Sequence, residues 1–258
     1  DIRCLRRGYY DCGAVYLAAG DLFGLAAQRR DLLTPARLYV YPAIPRAEEL
    51  PSSALKWQGD VTVRRWILPD PMLINGIREY RPGDSRKDVH WGATAKTGVL
   101  QVKSHDFSVS PRVLLCLNAQ ISDMVYGAME PKDAEFIENG ESISAALAAW
   151  CCENGLDVGF CSNGENQAAP EERLFIPPGS GEAKLNEILE ALAVLNIKRH
   201  GGFHSLLDGL IASGASELDI AVVSAYWSDS LEERAARLRK QNNSVSWIKI
   251  KEVFRNEG

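Results

Sequence analysis

The chain has 258 residues, 46% of them hydrophobic and 24% charged, with a formal net charge of -5. This is the composition of a globular protein long enough for two cores, and its slightly acidic balance excludes the broad basic face that nucleic-acid binding needs. No apolar run reaches the ~18 residues of a membrane helix.

Residues 1–110 read as strands and turns. "VYLAAGD", "RLYVYP", "VTVRRWIL" and "VLQVKSHDFSV" are β-branched and aromatic runs broken by Gly, Pro and Asp. "FGLAAQRRDLL" offers at most a turn or two of helix. A small all-β domain, sandwich or barrel, is expected here, with the linking stretch 76–103 at its end.

From Pro111 to residue 258 the period changes. "RVLLCLN" is a near-continuous apolar run, as in a strand buried on both faces of a parallel sheet. In "ESISAALAAWCCENG" the residues Ile143, Ala146, Leu147, Trp150 and Cys151 form one helical stripe, stopped by Asn154-Gly155. "LDVGFCS" is a second strand. A helix over 182–197 repeats the stripe with Leu185, Ile188, Leu189, Leu192 and Leu195. A shorter helix over 204–212 precedes the strand "LDIAVVSA". "SLEERAARLRKQNN" is a charged helix, and "VSWIKI" is the fourth strand. The alternation predicts an open α/β sheet with helices on both faces. "PPGSGEAK" lacks the GKS/T ending of a P-loop and reads as a loop feeding a helix.

Six cysteines lie at 4, 12, 116, 151, 152 and 161, with no CxxC spacing. Cys116 and Cys161 fall in apolar runs and Cys151 on an apolar stripe, where thiols pack as small core residues. A reducing compartment fits better than a secreted one. His200 and His204 are four apart, but Gly201-Gly202 breaks any helix that would align them as metal ligands.

"REYRPGDSRKDVHWGATAKTGVLQVK" resembles the central motif of the domain-of-unknown-function family 58. Arg78, Glu79, Tyr80, Pro82, Gly83, Asp84, Arg86, Trp91, Ala95, Lys96, Gly98, Leu100 and Val102 fall on its pattern, with Val89 in place of Ile and Lys96 in place of Arg. "RRGYYDCGAVYLAAGDLFGLA" is similar to the family's upstream motif, with Leu22 where Pro is usual. The resemblance implies a von Willebrand factor type A-like α/β domain in the second half. It also implies two membrane helices ahead of Asp1, the remainder at the cytoplasmic face, and a MoxR-type AAA+ ATPase as partner in complex maturation or envelope stress. The client protein stays unnamed, and no cofactor is implied.

Type A domains often bind Mg²⁺ through D-x-S-x-S after the first strand and an Asp after a later one, because a small hard cation wants carboxylate and hydroxyl oxygens. In this sequence Asn118 and Gln120 replace the first two ligands, Ser122 survives, and Ala225 stands where the later Asp belongs. Neutral amides attract a dication weakly, so a degenerate site without metal is expected unless Asp123 or Asp229 substitutes from a shifted loop.

The charged motif supports two readings. Arg78, Arg86 and Lys96 suit an anionic partner, and Trp91 is the usual kind of interface anchor. The same residues also suit an interdomain strut, with Pro82-Gly83-Asp84 as the turn, Asp84 and Asp88 paired to Arg, and Trp91 packed. A non-enzymatic interaction module is the leading expectation. A hydrolase-like enzyme using Glu79 and Asp84 for acid–base work and a metal-dependent adhesion domain are the alternatives.

Overall fold

The computed structural model describes residues 3–4, 6–11, 13, 15–20, 27–32, 36–67, 74–81, 86–105, 111–123 and 131–250. The chain groups into two compact units, residues 1–55 with 112–258, and residues 56–111.

In the first unit the N-terminal residues form two antiparallel ribbons. β1 (Gly8–Asp11) pairs with β4 (Arg37–Val40), and β2 (Val15–Gly20) with β3 (Ala27–Leu32). Strand β3 lies within "FGLAAQRRDLL", the stretch that offered at most a turn or two of helix; Arg29, Arg30 and Asp31 give a helix no apolar stripe to bury. Arg7, just ahead of β1, fixes this segment to the rest of its unit. Its guanidinium donates to the carbonyls of Leu192 (2.6 Å) and Leu195 (3.2 Å) and forms an ion pair with the buried carboxylate of Glu141.

Helix α1 (Ser52–Ile67) overturns the expected strand at 61–68. Val61, Thr62 and Val63 favour a strand locally, but Ala54, Trp57 and Val61 recur at a helical spacing and all three are buried. Thr62 also satisfies its hydroxyl on the carbonyl of Gln58, one turn back (2.8 Å). Burial of the stripe outweighs β-propensity, which is chiefly a packing preference.

Within the second unit β5 (Ile74–Glu79) and β6 (Gln101–His105) pair antiparallel, with Arg78 opposite Val102. A 3-10 turn over Arg86–Asp88 and the short helix α2 (Trp91–Thr97) lie between them. His90 starts α2 by accepting the N–H of Ala93 on Nδ1 (3.0 Å), and Gly98 ends it with φ +72°, a left-handed conformation that glycine adopts without a Cβ clash.

The rest of the first unit is a mixed α/β layer structure. Its strands are β7 (Arg112–Leu117), β8 (Asp157–Ser162), β9 (Gly164–Asn166), β10 (Phe175–Gly179), β11 (Leu195–His200), β12 (Leu218–Ser224) and β13 (Ser244–Lys249). The helices are α3 (Pro131–Glu153), α4 (Glu182–Val194), α5 (Phe203–Ala212) and α6 (Asp229–Lys240). Five strands make one sheet in the order β10-β8-β7-β12-β13, parallel except for β10. Leu114 and Cys116 of β7 join Ile220 and Val222 of β12 in a core closed by Phe203, Leu207, Leu231 and Leu238 of α5 and α6. On the opposite face α3 sits so close that a Cβ at Gly140 would meet Leu117 and Ile250 side chains at 3.1 and 2.6 Å. Burial on both faces explains why the apolar runs of β7 and β12 show no alternation.

Two further expectations are corrected. The helix predicted over 182–197 stops at Val194, and Leu195–His200 turns away as β11 to pair with β9. Apolar residues Leu195 and Ile197 are buried in either form, so periodicity could not separate them. Of "PPGSGEAK", expected as a loop, residues 177–179 end strand β10 and only Ser180-Gly181 lead into α4: Pro177 and Pro178 lack ladder donors, and an edge strand is the place in a sheet that tolerates them.

Candidate functional site

Parallel strands bring their C-terminal ends to one edge, and in open α/β sheets ligands bind where neighbouring strands send their chains to opposite sides. In this fold that place lies between β7 and β12. Asn118, fully buried just past β7, donates from Nδ2 to Ser224 Oγ at the end of β12 (3.0 Å) and accepts the N–H of Gln120 on Oδ1 (3.0 Å). Ser224 Oγ donates in turn to the carbonyl of Tyr226 (2.7 Å). Gln120 Oε1 accepts from the backbone N–H of Phe203, at the start of α5 (2.8 Å).

Asn163, beyond the end of β8, completes the network. Its Oδ1 accepts from the N–H of Ala119 (2.8 Å), and its Nδ2 donates to the carbonyl of Gly201 (2.8 Å). Three strand ends and one helix start are thus tied by uncharged side chains, and the dipoles of Asn118 and Asn163 are each engaged on both sides. Buried polar networks of this kind hold when every member is satisfied. Burial also pushes the Tyr226 hydroxyl upward from its ordinary value.

The positions singled out from the sequence do converge at this sheet end. Asn118, Gln120 and Ala225 share it, and Ser122, two residues past Gln120 in the chain, is half-buried. Asp123 lies on the surface with Oδ1 3.2 Å from His204 Nε2, in the first turn of α5. Asp229 opens α6 and is exposed. Among the described residues no three His, Cys, Asp or Glu side chains gather as a metal-holding group. Sequence reading missed Asn163 and Ser224, since an Asn after "GFCS" and a strand-terminal Ser carry no motif. Their role follows from sheet topology alone.

In the second unit the motif residues are placed by β5, the 3-10 turn and α2. Arg78 and Glu79 are exposed on β5, and Arg78 donates to the carbonyl of Glu79 (3.1 Å). Tyr80 is half-buried, its N–H bonded to the carbonyl of Leu100 (2.9 Å). Arg86 is exposed and Asp88 half-buried in the 3-10 turn, and Lys96 is exposed in the last turn of α2. Trp91, the first residue of α2, is 71% exposed. Asp84, with the Pro82-Gly83 turn, lies outside the described residues, as does the side chain of His200.

The cysteines pack as expected from their runs. Cys116 and Cys161 are buried on adjacent strands with Sγ atoms 3.1 Å apart, and Cys151 is buried in α3. Contact with Cys161 and burial raise the Cys116 thiol well above its ordinary value, and burial does the same to Cys151.

Comparison with protein families matches residues 76–252 to the family described as "Protein of unknown function DUF58". No curated protein and no solved structure matches the chain.

Proposed function

Given that the chain belongs to the DUF58 family, we propose that it is a non-enzymatic docking module, held at the cytoplasmic face of a membrane by a preceding anchor and working with a MoxR-type AAA+ ATPase on a client protein. Trp91 carries this reading. A tryptophan 71% exposed at the start of a helix, in the motif that also holds exposed Arg86 and Lys96, leaves most of its side-chain surface to solvent. Tryptophan and arginine are the residues that most often dominate protein–protein binding energy. Residues 56–111 carry nine Lys and Arg against six Asp and Glu in a chain of net charge -5, so an acidic partner surface is favoured.

The main sheet supports a type A-like classification, because the positions corresponding to the type A metal ligands meet at one sheet end. Neutral amides at those positions favour a structural closure over an ion site. Among the described residues no helix is long and apolar enough to cross a membrane, and the proposed anchor precedes Asp1.

The test is affinity capture of the full-length protein, anchor included, from its native host, with mass spectrometry of what is retained. Recovery of a MoxR-type ATPase from the wild type, lost in Trp91→Ala and Arg86→Ala variants whose melting temperatures stay within about 1 °C, supports the reading. Capture that survives both substitutions, or no ATPase at all, rejects it.

A further inference from the structure

Beside the end of β8, a groove of about 720 Å³ runs along one face of α5. Gly202, Ser205, Gly209 and Ser213 line its helical wall at spacings of three, four and four, which places them in one row. Leu206 and Leu210 form its apolar floor. The opposite wall is the segment that carries Glu171, Glu172 and Arg173, and Phe175 stands at the mouth, 52% exposed.

Gly209 is the telling residue. It sits inside a regular helix, where glycine is about 1 kcal/mol less favourable than alanine. Its φ is not positive, and a Cβ built on it would meet nothing within 4 Å. Neither backbone geometry nor packing asks for glycine there. A larger residue would stabilise α5 and would project into the groove. The groove is therefore kept open against the preference of the helix that forms it.

Its dimensions and charge describe the occupant. From Gly202 to Ser213 the helix rises about 17 Å at ~1.5 Å per residue, the length of about five residues of extended chain at ~3.3 Å each. An extended segment alternates its side chains. Bulky apolar groups would face Leu206 and Leu210, while the intervening ones would face the rim, where Glu165, Glu171 and Glu172 outnumber Arg173.

We propose that this groove binds an extended segment of a partner protein in which apolar side chains alternate with lysine or arginine. None of the groove residues belongs to the Trp91 motif, so the site stands whether or not an ATPase docks there.

The test is fluorescence anisotropy on the full chain with two labelled nine-residue peptides, one alternating leucine with arginine and one alternating leucine with glutamate, at physiological salt. The arginine peptide is expected to bind at least fivefold more tightly than the glutamate peptide. Gly209→Leu, which fills the groove without altering charge, is expected to weaken the arginine peptide at least fivefold with no fall in melting temperature. Ser205→Trp, the second variant, should do the same from the adjacent turn. Glu171→Gln with Glu172→Gln is expected to lower affinity at least threefold. An arginine peptide that binds no better than its counterpart, or is held equally by a folded groove-filling variant, overturns the proposal. The second of these results would show attraction by overall charge alone.

Discussion

Removing Arg7 provides the sharpest test of how the N-terminal segment is held. The guanidinium lies 185 residues in sequence from the helix end it serves, and α4 has no basic residue in its own last turn. Arg7 therefore supplies the positive charge that the last carbonyls of a helix attract, and also neutralises Glu141, whose side chain is wholly buried in α3. Truncating one partner of a buried pair leaves the other charge desolvated and costs about 3–5 kcal/mol. Against a total stability of ~5–15 kcal/mol, Arg7→Met should lower the melting temperature by roughly 6–20 °C, taking ~2–4 °C per kcal/mol for a unit of this size.

The pH dependence gives the mechanism away. Burial holds the Glu141 carboxyl well above its ordinary value, with Arg7 opposing that shift. A carboxyl raised on folding contributes nothing unfavourable below its unfolded pKa, near 4.3. It weakens the fold progressively as pH rises from there through the folded pKa. Without Arg7 the penalty grows, so Arg7→Met should lose more stability at pH 8 than at pH 5 in urea titrations followed by circular dichroism. Arg7→Met with Glu141→Met should recover most of the loss, since neither charge then remains buried alone. A loss under ~1 kcal/mol at pH 8, or one equal at both pH values, would refute the buried-pair argument.

Other expectations concern the sheet and its thiols. Asn118→Ala strips partners from Ser224 and from the Gln120 N–H, and should cost about 1–3 kcal/mol in chemical denaturation, with no recovery on adding Mg²⁺. Gly159→Ala would press a methyl group to 2.5 Å from the carbonyl oxygen of Ile176; a loss of about 1–3 kcal/mol by thermal melting is expected. Iodoacetamide at neutral pH should modify exposed Cys4 rapidly, while Cys116, Cys151 and Cys161 react only after denaturation, as peptide mapping would reveal.

The second half of the fold was legible because buried parallel strands and amphipathic helices differ in period. "RVLLCLN" and "LDIAVVSA" are continuous apolar runs, and the stripes of α3 and α4 recur every three to four residues. Errors fell where local preference and tertiary burial disagree. Val61, Thr62 and Val63 pointed to a strand, yet Ala54, Trp57 and Val61 shared a buried helical face. Two prolines hid β10, since only its edge position reconciles them with pairing. At the candidate site, the missing carboxylates were visible as Asn118 and Ala225 and a missing hydroxyl as Gln120, but the bonds made by Asn118, Ser224 and Asn163 were not. Those contacts cross 106 and 44 positions of sequence and exist only once the strands are ordered.

The two prolines of β10 have a consequence for self-association. Consecutive strand residues face opposite sides, so one of the two prolines removes a donor from the outer margin of the sheet and leaves a gap in the ladder that an incoming chain would need. At the opposite margin, β13, the Lys249 N–H is taken by Ser53 Oγ at the start of α1 (3.2 Å), so an incoming strand meets an interruption there as well. Both margins are thus interrupted for an added strand, which works against growth into a fibre.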